Sequence, residues 1–141
     1  MLNKTEALVT ERRGKLLRGD LSTGQRRKIA SLPQTFTERQ GGLLDILVHS
    51  PDTPEPVIYF CYSRPTAQGA ATAVNKAVLQ GDSLVRQEVI FTANNVSWNS
   101  IHFGCRLAIV DSHLFVSLGN VAKGTVHKMG VHTGGQLFAL G

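Results

Sequence analysis

Short β-type segments separated by tight turns run along almost the whole chain, and this alternation limits the fold more than any other feature of the sequence. Aromatic and β-branched residues dominate Val57–Tyr62, and Leu43–His49 is an apolar run interrupted only by Asp45. The segment between them, Ser50–Pro56, is rich in proline and is predicted to be a loop. The same reasoning predicts further strands at Glu6–Thr10, Leu16–Arg18, Arg26–Ala30, Thr72–Leu79, Leu84–Phe91, Arg106–Val110 and His113–Ser117.

Turn-forming residues separate these segments, at Glu11–Gly14, Asp20–Gly24, Gln80–Asp82 and Asp111–Ser112. No segment longer than a turn has convincing helical periodicity, and the Ala-rich stretch Ala67–Val78 is the one ambiguous case. Short strands at nearly even spacing are typical of sandwiches, barrels and propeller blades. The fold class is therefore predicted to be all-β.

The size and charge of the chain exclude some classes of function. With 141 residues it is long enough for one domain with a real core. The net charge is +5, but the basic residues are scattered apart from Arg12-Arg13 and Arg26–Lys28, which we interpret as solvated strand faces or hairpin tips. No apolar run approaches the roughly 20 residues that span a bilayer, and Met1–Gly14 contains no apolar signal segment. We expect no nucleic-acid partner, no membrane span and no export address in the chain as written.

Two cysteines, Cys61 and Cys105, lie within apolar strand-like runs and lack the Cys-x-x-Cys spacing of a metal or redox motif. We favour buried free thiols for both. A disulfide between them is the open alternative.

Two places break the regular pattern of strands and turns, and irregular loops are where binding and catalytic residues concentrate. Gln40 precedes Gly41-Gly42, a pair that lets the backbone approach a ligand or another strand closely. His102 stands at a strand entrance, where a neutral imidazole can act as a general base near neutral pH. From the residues alone, a solvated loop amide and a histidine satisfied by a backbone hydrogen bond are the alternative interpretations.

Four motifs in order carry a resemblance to a known family: ALVTERRGKL, then ERQGGLLDILVHSPD, then VIYFCYS, then IHFGCRLAIVDSHLFVSLG. From about Leu8 to Gly119 the chain resembles the N-terminal part of the soluble pyrroloquinoline-quinone (PQQ)-dependent sugar dehydrogenases. These are the glucose/sorbosone and aldose sugar dehydrogenases. The resemblance implies a partial six-bladed β-propeller of about two blades.

The resemblance also implies site residues and cofactors. His102 matches the family's general base, which takes the proton from the anomeric hydroxyl of an aldose sugar, and a hydride then passes to PQQ beside a bound calcium ion. Gln40 matches the family's glutamine near the quinone and the sugar. Arg106 belongs to the His-x-Gly-x-Arg motif, and we interpret it as structural, pairing under the blade. No residue of this chain is predicted as a metal ligand.

Several departures from the family limit these expectations. Its enzymes are much longer, and most ligands for PQQ and calcium lie on later blades, so we expect this chain to be inactive alone. Ser50 interrupts the family's His-Pro-Asp sequence, and Ile101 stands where glucose-oxidising relatives carry an acidic residue, which affects sugar recognition. The family is periplasmic or secreted, whereas this chain, expressed as written, is expected to be cytoplasmic.

The sequence after Gly119 departs most. The family continues with an Ala-Gln-Asp motif and a His-x-Gly-x-Val-x-Arg strand, whereas residues 120–141 read NVAKGTVHKMGVHTGGQLFALG. A one-base shift of the reading frame permits both family motifs in the correct order. We therefore predict N-terminal propeller blades over residues 1–119 and a divergent, out-of-frame tail over residues 120–141. His127 and His132 are accordingly not expected to bind metal.

A second functional hypothesis belongs to another class. The chain is then a non-catalytic propeller-type or repeat-like fragment that binds a partner, or a second copy, through exposed strand edges.

Overall fold

The computed structural model describes residues 1–94, 103–119, 128–132 and 137–140, and for the last two segments the backbone alone. The described residues contain strands, turns and loops but no helix, which confirms the all-β prediction. The strands, in chain order, are β1 (Glu6–Glu11), β2 (Lys15–Asp20), β3 (Arg26–Lys28), β4 (Leu43–His49), β5 (Val57–Thr66), β6 (Gly69–Gln80), β7 (Ser83–Thr92), β8 (Cys105–Val110), β9 (His113–Leu118), β10 (Lys128–His132) and β11 (Leu137–Leu140).

The strands form three antiparallel sheets in which neighbours along the chain are neighbours in the sheet. The first sheet is β1-β2-β3, the second is β4-β5-β6-β7, and the third is β8-β9-β10-β11. A four-stranded antiparallel meander is the repeating unit of a β-propeller. The second and third sheets therefore have the form of two consecutive propeller blades, which we call the first blade and the second blade. The partial propeller is confirmed.

The Ala-rich stretch that was ambiguous in the sequence is strand β6, at the centre of the first blade. It pairs with β5 over ten positions, from Val57↔Val78 to Thr66↔Gly69, and with β7 on its other side. Its alanines at positions 70, 71, 73 and 77 are buried, and those at 73 and 77 belong to the hydrophobic cluster shared with the first sheet. Small side chains are used here because two sheets pack against this strand, and that packing overrides the helical preference of alanine.

Strand β5 is buried on both faces and separates two hydrophobic clusters. Ile58, Phe60 and Tyr62 pack in the cluster shared with the first sheet, whereas Tyr59 and Cys61 pack in the cluster shared with the second blade. Successive side chains of a strand point to opposite faces. A strand with a core on each side therefore reads as a continuous apolar run, as VIYFCY does.

Covalent and polar links join the two blades. Cys61 of β5 and Cys105 of β8 form a disulfide, so the interpretation of both residues as free thiols is wrong. The two positions are 44 residues apart in sequence, and only the packing of β8 beside β4 and β5 brings them together. Arg106, expected to be structural and to pair under the blade, does pair with Asp45, its Nη1 atom 3.9 Å from the carboxylate, but 85% of its side chain is accessible rather than covered.

An ionic cluster joins the first sheet to the turn between β6 and β7. Arg18 donates hydrogen bonds of 2.9 and 2.7 Å to the two carboxylate oxygens of Glu6, and its other terminal nitrogen lies 3.7 Å from Asp82. Arg27 lies within ion-pair distance of both acids while its side chain stays largely exposed. The basic run Arg26–Lys28 is thus partly used in ion pairs within the fold.

No helix long and apolar enough to cross a membrane occurs in the described segments.

Candidate functional site

Gln40 lies on the loop formed by residues 36–42, which leads into strand β4 and which we call the Gln40 loop. The residue is exposed, within a turn closed by a hydrogen bond of 2.8 Å from the amide of Gly41 to the carbonyl of Glu38. Arg39 has a φ of +47°, in the left-handed region that a tight turn requires. The sequence-predicted site residue therefore stands on the outer surface of a closed turn.

Arg12, which directly follows β1, contacts this loop with both its side chain and its backbone. Its Nη1 atom donates hydrogen bonds to the carbonyls of Thr37, Arg39 and Gly41, at 3.3, 2.8 and 3.0 Å. Its own carbonyl accepts a hydrogen bond of 3.0 Å from the amide of Leu43. Arg12, directly after β1, thus holds the loop that carries Gln40.

The glycine pair after Gln40 allows these close contacts. A Cβ atom on Gly42 would lie 2.3 Å from the carbonyl oxygen of Arg12, and one on Gly41 would lie 2.7 Å from the carbonyl oxygen of Phe36. Both distances are far below van der Waals contact. The pair is predicted to permit close approach of a ligand or another strand, and at Gly42 the backbone that comes close is that of Arg12, directly after strand β1.

Ser63, within strand β5, holds the two ends of the loop from the opposite side. Its hydroxyl accepts a hydrogen bond of 3.1 Å from the amide of Gly42, its amide donates to the carbonyl of Gly42, and its carbonyl accepts from the amide of Phe36. The residue is fully buried. Burial raises the pKa of the phenol of the neighbouring Tyr62. This phenol therefore stays protonated near neutral pH and does not act as a base.

His102 lies outside the described residues, so the structure gives no geometry for the predicted base. Its neighbour Phe103 is described, is buried, and has its ring 6.1 Å from the ring of Phe36 at the start of the Gln40 loop. Gly104 follows, and its carbonyl accepts a hydrogen bond of 2.7 Å from the amide of Gly119. The chain immediately after position 102 therefore packs against the segment that leads to Gln40.

The described residues do not fit a calcium site. Among them there is no group of three or more His, Cys, Asp or Glu side chains that could hold a metal ion. His127 is not among the described residues, and only the backbone of His132 is. The family's metal is therefore not assigned to any residue described here.

Comparison with known proteins shows the family. The family model described as "Glucose / Sorbosone dehydrogenase" matches residues 1–140. The chain belongs to the glucose/sorbosone dehydrogenase family. The match extends beyond Gly119, but the out-of-frame interpretation of residues 120–141 stays a prediction that the coding DNA would test.

Solved structures agree in fold. The chain is similar to two glucose dehydrogenase structures, each with a TM-score of 0.80, at 26% and 27% identity over 96% and 91% of this chain. It is also similar in fold, with a TM-score of 0.80 and 19% identity, to the soluble aldose sugar dehydrogenase of Escherichia coli in its apo form. The chain spans about 43% of the length of these structures.

One curated relative is an uncharacterized protein of Synechocystis sp., 40% identical over 91 residues, which are 64% of this chain and 22% of the relative.

Sequence reasoning on the candidate site missed Arg12 and Ser63. Both stand in motifs of this family chain, Arg12 in ALVTERRGKL and Ser63 at the end of VIYFCYS. Their position within a motif is the signal that could have found them, because an arginine or a serine does not by itself indicate a functional site. The partners of their side-chain hydrogen bonds lie between 21 and 29 residues away, at a distance that no local pattern reveals.

Proposed function

We propose that this chain is the N-terminal part of a PQQ-dependent aldose or glucose dehydrogenase, with His102 as general base and Gln40 as a sugar- and cofactor-binding residue. The observation that carries the proposal is the contact between Phe36 and Phe103, with ring centroids 6.1 Å apart. It brings the loop of Gln40 beside the residue that follows His102. Gln40 and the residue after His102, taken from separate motifs, thus belong to neighbouring parts of the fold, which supports a shared active site.

Each residue has a defined part in this proposal. The imidazole of His102 accepts the proton of the anomeric hydroxyl, which suits a group that titrates near neutral pH. The amide of Gln40 can both donate and accept hydrogen bonds, so it can bind adjacent ring hydroxyls and fix the orientation of the sugar. The exposed position of Gln40 on a closed turn leaves its surface accessible to a ligand.

No described residue is assigned to calcium, and Gln40 is the one described residue assigned to PQQ. We propose that calcium and most of the PQQ molecule are bound by those parts of the propeller that the solved dehydrogenases have and this chain does not cover. On this view the chain alone does not oxidise sugars. It supplies a base and a sugar contact to a site completed by other blades.

The disulfide bears on where the protein works. Structural disulfides persist in oxidising compartments such as the periplasm and the extracellular space, and they are rare in the cytosol. The bond between Cys61 and Cys105 therefore supports the periplasmic or secreted location of the family over the cytoplasmic location expected for the chain as written.

Two assays test the proposed function. The purified chain, given PQQ, calcium, an aldose and an artificial electron acceptor, is expected to reduce no dye. A chimaera carries residues 1–119 of this chain in place of the matching segment of a solved glucose dehydrogenase, and it is expected to oxidise at least one aldose of a panel that includes glucose.

Variants of the chimaera identify the residues responsible. His102→Ala should lower kcat by about 10²- to 10⁴-fold, the usual contribution of a general base. Gln40→Ala should mainly raise KM. His49→Ala is the matched control. It removes the same type of side chain, but His49 lies beside Tyr59 at the end of β4 that is opposite to the Gln40 loop. A folded chimaera without activity, or a His102→Ala variant as active as the His49→Ala control, would contradict the proposal.

The alternative is a non-catalytic fragment that associates through strand edges. Strand β7 is an edge of its sheet and exposes Val89, which supports self-association. Sedimentation of the purified chain separates the two hypotheses. A stable dimer that persists at high dilution would favour the binding fragment, whereas a monomer would leave edge pairing without support.

A further inference from the structure

We propose that Arg12 is a positioning residue, whose guanidinium group fixes the backbone of the Gln40 loop and thereby the direction in which Gln40 is presented. The role of Gln40 in this inference rests on the proposed function. The action of Arg12 on the loop does not, because it follows from contacts within the described residues.

The arrangement of the acceptors carries the inference. The carbonyls of Thr37, Arg39 and Gly41 belong to alternate residues, yet all three are within hydrogen-bond distance of the single Nη1 atom of Arg12. Three carbonyl dipoles that converge on one point repel one another unless a positive donor lies between them. A charged guanidinium supplies that donor and forms stronger bonds than a neutral group would.

These acceptors lie on both sides of Gln40, one immediately before it and one immediately after it. Because the contacts are to backbone atoms, they fix the path of the chain at residues 39–41 and leave the side chain of Gln40 on the outer surface. The turn hydrogen bond from Gly41 to Glu38 lies inside the same segment. The persistence of this hydrogen bond therefore reports whether the loop keeps its conformation.

Other contacts hold the base of the loop without Arg12's side chain. Phe36 and Gly42 are bonded to Ser63, and the backbone carbonyl of Arg12 accepts from Leu43. Loss of the guanidinium should therefore loosen residues 37–41 while leaving strands β4 and β5 in place. This local effect distinguishes positioning from a general contribution to stability.

Amide hydrogen exchange of the purified chain, followed by NMR, tests the inference without sugar or cofactor. In Arg12→Ala the amide of Gly41 should exchange about fivefold faster or more, since charge-assisted hydrogen bonds no longer hold the turn. The amides of Phe36 and Ser63 should keep their rates. Arg13→Ala is the matched control, because Arg13 is the exposed neighbour with the same charge, and it should exchange like the wild type.

Chemical rescue adds a signature that a merely structural role would not give. Guanidinium ion at sub-denaturing concentration should partly restore the slow exchange of Gly41 in Arg12→Ala, whereas the same concentration of sodium chloride should not. Arg12→Lys, which keeps the charge but loses the planar fork, should give an intermediate rate. If Arg12→Ala fails to fold, the Lys variant decides, and a wild-type rate there would overturn the inference.

The outcomes separate this inference from the proposed function. An unchanged Gly41 rate in Arg12→Ala overturns the positioning role whether or not the chimaera oxidises glucose. An inactive chimaera with a loosened loop in Arg12→Ala overturns the proposed function alone. In an active chimaera, Arg12→Ala should raise KM by a factor similar to that of Gln40→Ala, and its kcat should change less than its KM. A KM equal to that of Arg13→Ala would count against the inference.

Discussion

Asp45 of the first blade accepts a hydrogen bond from the backbone amide of Leu107 in the second blade, and the two atoms are 2.8 Å apart. Asp45 lies where the pairing of β4 with β5 shifts between Leu43 and Ile46. The one acidic residue that interrupts the apolar run Leu43–His49 therefore has a structural use. It satisfies an amide on the edge strand of the next sheet.

Replacing this carboxylate should weaken the contact between the blades. We expect Asp45→Ala to lower the free energy of unfolding by about 1–3 kcal/mol, because the partly buried amide of Leu107 then lacks an acceptor. Asp45→Asn keeps an acceptor oxygen of the same reach and should lose less. Urea denaturation followed by fluorescence measures both, and equal losses in the two variants would contradict the assigned role.

Breaking the disulfide should cost more. For a bond between cysteines 44 residues apart, the entropy of the closed loop predicts a loss of about 4 kcal/mol on reduction. Urea denaturation with and without a reducing agent measures it. The double variant Cys61→Ala/Cys105→Ala should be insensitive to reductant, and two titratable thiols in the unreduced wild type would refute the bond.

The ionic cluster of the first sheet predicts a dependence on pH. The hydrogen bond from Arg18, helped by one from Asn3, lowers the pKa of Glu6 below its ordinary value of 4.5. The folded state therefore binds this proton less readily than the unfolded state, so Glu6 stabilises the fold above about pH 4.5, and this contribution is lost as the pH falls through the lowered value.

Stability measured by urea denaturation between pH 7 and pH 3 tests this dependence. Wild type should exceed Glu6→Gln in stability at neutral pH, and the difference should shrink as the solution becomes acidic. Glu11→Gln is the control, because Glu11 forms an exposed ion pair with Lys15 at 3.8 Å and should have little effect. A difference for Glu6→Gln that stayed constant across this range would show that the carboxylate is not responsible.

The tight contact at Gly42 predicts the effect of one methyl group. Gly42→Ala should lower the free energy of unfolding by about 1–3 kcal/mol, because its Cβ would meet the carbonyl oxygen of Arg12. At Gly19 the nearest atom to an added Cβ is 3.9 Å away, so Gly19→Ala should change stability by no more than about 0.5 kcal/mol. Thermal unfolding of the two variants side by side measures this, and equal melting temperatures would be the contrary result.

Strand positions could be predicted from the sequence because each depends on a few neighbouring residues. Leu43–His49 has the same bounds in the prediction and in the structure. Strand β5 continues past the predicted Tyr62 to Thr66, through Pro65. Proline is tolerated there because β4 pairs with β5 only as far as Tyr62, so the missing amide proton removes no bond to β4.

Contacts between distant segments could not be predicted in the same way. The free-thiol interpretation was wrong because nothing near Cys61 indicates that β8 packs beside β5. The interpretation of Arg12 as a solvated residue missed its three backbone acceptors for a similar reason, since these lie on a loop after β3. The site residues Gln40 and His102 were found through the order of the family motifs, and their roles stay predictions.

The bond between Cys61 and Cys105 also changes what cleavage of the chain can do. A single cut of the backbone at any point between these two residues, including anywhere in β6 or β7, leaves both pieces joined as one covalent molecule. Separation then requires reduction as well as hydrolysis. Survival of the two-blade unit in a protease-rich surrounding is therefore governed by the local redox potential as much as by the folding equilibrium.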